Sequence, residues 1–174
     1  MEIYITDLAA YNNGHLIGEW VSLPMDEDDL KSKITEILSI GAEVCEDNEH
    51  EEIFITDYEC SFMEIGEFDN PFKLNEIAEQ ADGLNDHELK MVSFLLRNGL
   101  VNNFEEALEK YEDVIIHEDS TMQDVAYDFI DGFYNLKDLP PIIANAIDYE
   151  QIGRELSYDG RYFEEDGDIY EYLG

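Results

Sequence analysis

Carboxylates dominate the side chains that could do chemistry in this chain. Asp and Glu number 44, against nine Lys and Arg, four His and two Cys in 174 residues. The familiar catalytic arrangements fail on spacing. No Gly-x-Ser-x-Gly elbow occurs, and Cys45 and Cys60 show neither a Cys–His pairing nor a metal or redox spacing. His15, His50, His87 and His117 stand apart, without the His-Glu-x-x-His pattern of a zinc protease. His117 follows a strand and precedes a helix cap, which reads as a solvent-edge or capping role. No Gly-x-x-x-x-Gly-Lys loop is present to cradle a phosphate. Paired carboxylates could do glycosidase chemistry, but with 44 of them any two could be nominated. Calcium wants hard oxygen ligands, and Glu155-Leu156-Ser157-Tyr158-Asp159-Gly160, with Asp166 downstream, sets oxygens at alternate positions before a glycine. It departs from an EF-hand loop in lacking an Asp opener and in ending on Asp rather than Glu. The other reading is a turn at Asp159-Gly160 before a hairpin. The expectation is therefore no catalytic residues, no cofactor and no metal ligands.

The elements that must position these carboxylates alternate along the chain. Glu2 to Thr6 has the period of a strand, Asn12-Asn13-Gly14 signals a turn, and Leu16 to Ser22 reads as a second strand closed by Pro24. Asp26-Glu27-Asp28-Asp29 opens a helix whose stripe is Leu30, Ile34, Ile37 and Leu38, the acids suiting its positive N-terminal dipole. Glu52 to Asp57 is a third strand that echoes Ile3 to Asp7. The middle is helical. Asn70-Pro71 is a cap with Pro at the first helical position, Leu74, Ile77, Ala78 and Ala81 follow inward, and Gly83 stops the helix. Asn85 opens another with Leu89, Val92, Leu95 and Leu96 inward, ending at Asn98-Gly99, and Phe104 to Tyr111 makes a short third. In the last third, Asp113 to His117 reads as a strand. Ser120-Thr121-Met122-Gln123 is a capping box for a helix with Met122, Val125, Ala126, Phe129, Ile130 and Phe133 inward. Short helices carry Ile142 to Leu156, and a hairpin turns at Asp166-Gly167.

This reading is α+β, an elongated chain of three small domains: an α+β unit over 1–66, a helical unit over 67–111 and an α+β unit over 112–174. The charge is spread across all three. The first carries 17 acids and 2 bases, the second 10 and 4, the third 17 and 3. A disordered acidic tail would have gathered it at one end. A net charge of −35 argues against non-specific binding to nucleic acid or to an anionic membrane, because both would repel the chain, and its self-repulsion favours an extended form. Solubility needs a net charge of only about 2–8 in a small domain, so the excess points to a basic partner, to cations or to a high-salt habitat. The N-terminus lacks the basic and apolar regions of a signal peptide, no apolar run could span a bilayer, and the cysteines read as reduced thiols, which together predict a cytoplasmic protein.

Several stretches carry a resemblance: Tyr11-Asn12-Asn13-Gly14-His15-Leu16-Ile17-Gly18-Glu19-Trp20, Ile55-Thr56-Asp57-Tyr58-Glu59, Val114 to His117 with Asp124-Val125-Ala126, and Ile147 to Leu156. In these, and over essentially its full length, the sequence resembles the ArdA family of antirestriction proteins. The resemblance implies a three-domain, dimeric mimic of bent B-form DNA, encoded on mobile elements, that occupies the DNA-binding site of type I restriction–modification enzymes. It implies no catalysis, and places dimerisation in the last domain, which we carry onto Val114, Ile115 and Ile116; the charge and the short apolar runs already speak against a nucleic-acid ligand and a membrane. Trp20 and Tyr11 match the family pattern but read as core and turn residues.

The carboxylates nominated to meet Lys and Arg of that partner are Asp26, Glu27, Asp28 and Asp29 at a helix start, and Glu46, Asp47, Glu49, Glu51 and Glu52 in the following loop and strand. In the last third they are Glu112, Asp113, Glu118, Asp119, Asp124, Asp128 and Asp131. The competing readings are a halophilic protein without a partner and a cation-binding module.

Overall fold

The computed structural model describes residues 1–46 and 49–174. The chain is α+β, with eight α-helices and two three-stranded antiparallel sheets among the described residues. It divides into two compact units, Met1–Phe104 and Glu105–Gly174, with one sheet in each.

In the first unit β1 (Glu2–Asp7) lies between β2 (Gly18–Ser22) and β3 (Ile53–Glu59). Period-two alternation puts Ile3 and Ile5 into the core with Val21 and Ile55. Helix α2 (Glu27–Cys45) covers them with Leu30 and Ile37, so its apolar stripe has the sheet as its partner. The same core takes in Leu74 and Ala78 of α3 (Pro71–Asp82), which ties the first of the middle helices to the N-terminal sheet. Helix α3 is bounded as its residues dictate: the Asn70 side chain accepts from the Phe72 N–H, Pro71 opens the first turn and Gly83 caps the end. Helix α4 (Asp86–Arg97) opens on a capping box between Asn85 and Glu88 and buries every residue from Met91 to Leu95. It is thus more enclosed than a single stripe.

Two local readings need correction. The Asn12-Asn13-Gly14 turn exists, with Gly14 at φ +85°, but a short helix, α1 (Leu8–Asn12), precedes it. Five residues are too few for a helical period to show. Strand β2 begins at Gly18 rather than Leu16, which is exposed. At Gly18 a Cβ would meet the Ile5 carbonyl oxygen at 2.5 Å, so pairing with β1 requires the glycine there.

The second unit holds β4 (Val114–His117), α6 (Met122–Tyr134), α7 (Pro141–Ala144), α8 (Tyr149–Ser157), β5 (Tyr162–Glu165) and β6 (Asp168–Tyr172), and α5 (Phe104–Lys110) leads into it. β6 is central, with Ile169 and Tyr170 buried, and β4 and β5 form the edges. The β5–β6 hairpin turns on Asp166 and Gly167, at φ 52° and 90°. Positive φ at both central residues is what an Asp-Gly pair favours. Helices α6 and α8 pack closely enough that a Cβ on Gly153 would strike the Met122 carbonyl.

Here too the structure revises details. The N-cap of α6 is Thr121, with Asp124 as its reciprocal partner, rather than Ser120 with Gln123. A carboxylate interacts more strongly than an amide with the helix's positive end. Phe133 is 72% exposed instead of inward. Residues Tyr111–Asp113 form a 3-10 turn, so α5 ends at Lys110 and the strand begins at Val114.

Candidate acidic binding surface

The first acidic cluster is built on the start of α2. Asp26 caps the helix by accepting from the Asp28 N–H at 2.9 Å, and Glu27, Asp28 and Asp29 fill the first turn. All four are exposed. The preceding residue is clamped: the Asn75 side chain accepts from the Met25 N–H and donates to its carbonyl, both at 2.8 Å. The carboxylates therefore project from a fixed point.

The second cluster lies at the other end of α2, roughly 27 Å away at 1.5 Å per residue. Glu46 caps the helix in the left-handed conformation at φ 52° and is exposed. Glu49, Glu51 and Glu52 are also exposed and line a concavity of about 450 Å³ with Leu8, Ala9 and Asn12. Glu52 precedes β3 rather than lying in it, and Asp47 lies outside the described residues. Acids at a helix start are explained by the dipole. Glu43 and Glu46 at its negative end oppose it, and no basic residue stands in the last turn. Helix stability alone does not account for them.

A buried pair without any local sequence signature anchors this second cluster. Asp7 caps α1 by accepting from the Ala10 N–H at 2.9 Å, and its other oxygen lies 2.6 Å from His50 Nδ1. Both residues are buried, and His50 Nε2 has no hydrogen-bond partner among the described residues. Space for the pair depends on Gly41 of α2, where a Cβ would collide with the Asp7 carboxylate and crowd the His50 ring. The pair thus fastens the segment carrying Glu49, Glu51 and Glu52 to α1 and α2. The partners are 43 residues apart, which is why motif reading misses them.

In the second unit, Glu112 and Asp113 sit exposed on the 3-10 turn, and Glu118 and Asp119 on the turn after β4. Asp119 adopts φ 50° and its N–H donates to Asp168 at 2.9 Å. Asp124, Asp128 and Asp131 recur at helical spacing along one face of α6. Asp124 accepts from the Thr121 hydroxyl at 2.6 Å and the Thr121 N–H at 2.9 Å, and these bonds, the hydroxyl's first, hold its carboxyl below the usual range. Asp131 is half-buried and accepts from the Leu136 N–H at 2.9 Å. Two of the three therefore also hold local structure. Of the nominated dimer residues, Val114 is buried, Ile115 is 42% exposed and Ile116 half-buried, all on the edge strand β4.

Five basic side chains pair with acids outside the nominated set. Lys33 pairs with Glu19, Lys73 with Glu76, Lys110 with Glu106, Arg154 with Glu150 and Arg161 with Asp159. None of those five carboxylates is in the nominated set. Tyr162 donates to Glu171 at 3.0 Å, and burial first, then this bond, pushes its hydroxyl up to about 12. In the stretch weighed for calcium, Glu155 and Ser157 belong to α8, Asp159 accepts from Arg161, and Gly160 turns at φ +79°. Among the described residues no group of three or more His, Cys, Asp or Glu is placed to hold a metal ion, and no helix is long and apolar enough to cross a membrane.

A family model described as antirestriction protein (ArdA) matches residues 3–171. The chain belongs to the ArdA family. A search of curated proteins finds no match. The match takes in both units, so the acidic clusters above all lie within the ArdA homology. ArdA membership implies an antirestriction function and interaction with restriction–modification enzymes.

Proposed function

We propose that this ArdA protein mimics DNA: its exposed carboxylates occupy the DNA-binding channel of a type I restriction–modification enzyme and exclude the duplex by competition. It acts stoichiometrically, not as an enzyme, in the cytoplasm, on behalf of a mobile element. One observation carries the reading. With 44 acidic residues against 9 Lys and Arg, at least 35 carboxylates have no Lys or Arg to match them one to one, and acid clusters stand exposed at both ends of α2. A duplex presents one charge per about 1.7 Å, so this charge matches roughly 60 Å or about 17 base pairs. Carboxylates accept the same Arg and Lys hydrogen bonds as phosphates.

In this reading the sixteen nominated carboxylates contact the enzyme's bases collectively, the chain works as three successive domains in an elongated dimer, and the edge strand β4 supplies the subunit contact through Ile115. Edge strands have unpaired backbone groups that a second copy can satisfy. The test is displacement of a labelled duplex from a purified type I enzyme. Equimolar protein should release the duplex and block cleavage. A protein that leaves the duplex bound overturns the proposal.

A further inference from the structure

Beside the acidic concavity the first unit exposes an aromatic stack. Phe54 of β3 is buried, and two rings lie against it: Tyr11 of α1, edge-on at 5.1 Å between centroids, and Phe68, nearly parallel at 6.3 Å. Yet Tyr11 is 51% and Phe68 75% exposed. Such rings ordinarily turn inward, because burying an aromatic side chain is strongly favourable. Here they are held outward. The Asp7 cap fixes α1, and the segment with Phe68 is pinned by the Ile55 N–H donating to the Glu67 carbonyl at 2.8 Å and the Gly66 N–H to Asp69 at 2.8 Å. The outward rings are thus built into the local fold.

We propose that the Tyr11–Phe54–Phe68 stack is a docking surface for arginine side chains of the basic protein partner, a deepening that rests on the function proposed above. Charge complementarity selects the occupant. Exposed Glu67 and Asp69 flank Phe68 in sequence, and Glu49, Glu51 and Glu52 line the concavity beside α1. A nucleobase would also stack, but its phosphates would meet a chain of charge −35. A guanidinium satisfies both features, lying over a ring face while donating to a carboxylate. Arginine is among the residues most enriched at interface hot spots, where it becomes desolvated against its partner. Phe68 therefore supplies a short-range anchor that salt screens far less than the long-range attraction of the carboxylates.

The test uses the full chain and a purified type I restriction enzyme, with affinity measured from low to high salt. Phe68→Ala should bind about tenfold more weakly at every salt concentration with an unchanged salt slope. Phe68→Leu should be equally weak, and Phe68→Tyr should bind like the wild type, with thermal unfolding lowered only slightly in Phe68→Ala and Phe68→Leu, because the ring is 75% exposed and covers Phe54 on one face alone. Wild-type affinity in Phe68→Ala overturns this inference alone, as does full affinity in Phe68→Leu, which would show a merely apolar contact. A wild-type chain that does not bind the enzyme overturns the proposed function and this inference together.

Discussion

At the scale of single residues, the most consequential contact is the buried one between Asp7 and His50. It joins β1, α1 and the acidic segment before β3 through one carboxylate that serves both as helix cap and as ring partner. Removing one member of such a pair leaves a buried polar group unsatisfied, so His50→Ala should lower unfolding free energy by about 3 kcal/mol. Gly41→Ala should cost a similar amount, on the order of 3 kcal/mol, because the Asp7 carboxylate that the methyl would strike is held by the Ala10 N–H and by His50. Chemical denaturation measures both. Tyr162 makes a pH prediction. Its folded value, about 12, lies above the ordinary value of 10.0, so the folded state holds its proton after the unfolded state has lost it. Its contribution is intact below pH 10 and disappears as pH rises towards 12. The alkaline unfolding midpoint should move upward in Tyr162→Phe, provided the lost hydrogen bond to Glu171 costs less than that ionisation. Little of this scale is legible in the sequence. Asp7 and His50 meet only because β1 and β3 pair, and periodicity carries no information about partners 43 positions apart.

Elements are legible where their signals are local. Asn70-Pro71 with Gly83 delimits α3, and Asp166-Gly167 turns the last hairpin, because caps and primed turns depend on a few neighbouring residues. The shortest helices, such as α1, leave no period to read. Sequence places the box at the head of α6 one residue early because Ser120 and Thr121 are both competent caps, and only the structure shows Asp124 closing the box on Thr121. Thr121→Ala should therefore destabilise the second unit by about 1 kcal/mol, whereas Ser120→Ala should leave thermal unfolding unchanged. The Asp124 carboxyl is held low by that box, so this part of the stability is present above its ordinary value of 3.8 and is lost as pH falls through and below it. Packing between elements is the other test. Gly153→Ala should loosen α6 from α8, read as faster amide exchange in both helices, since the new methyl would have to displace backbone at Met122.

For the whole molecule, charge is the quantity that matters, and it is the most legible of all because it needs no geometry. A net −35 repels itself, so added salt should raise the unfolding midpoint by screening while weakening the complex with a basic partner. Those opposite responses separate folding from binding in one titration. Where the carboxylates stand is less legible. Asp124 and Asp131 are nominated for a partner, yet each also accepts backbone or side-chain hydrogen bonds of its own unit, so their substitution mixes stability with affinity. Glu27, Asp28 and Asp29 offer a cleaner trial, since Asp26 also caps α2. Any single Asp→Asn change there should leave inhibition within about twofold, because the attraction is distributed. Neutralising all three should weaken binding about tenfold at low salt, roughly in proportion to the charge removed, and flatten the salt slope.

If this ArdA chain takes the place of a duplex, protein and DNA must compete for one site on the enzyme. A labelled DNA duplex bound to a purified type I restriction enzyme is titrated with the protein, and the anisotropy of the DNA is followed. Mimicry requires complete release, with a midpoint that rises in proportion to the DNA concentration. Release that is independent of DNA concentration, or a stable ternary complex of enzyme, duplex and protein, would contradict it.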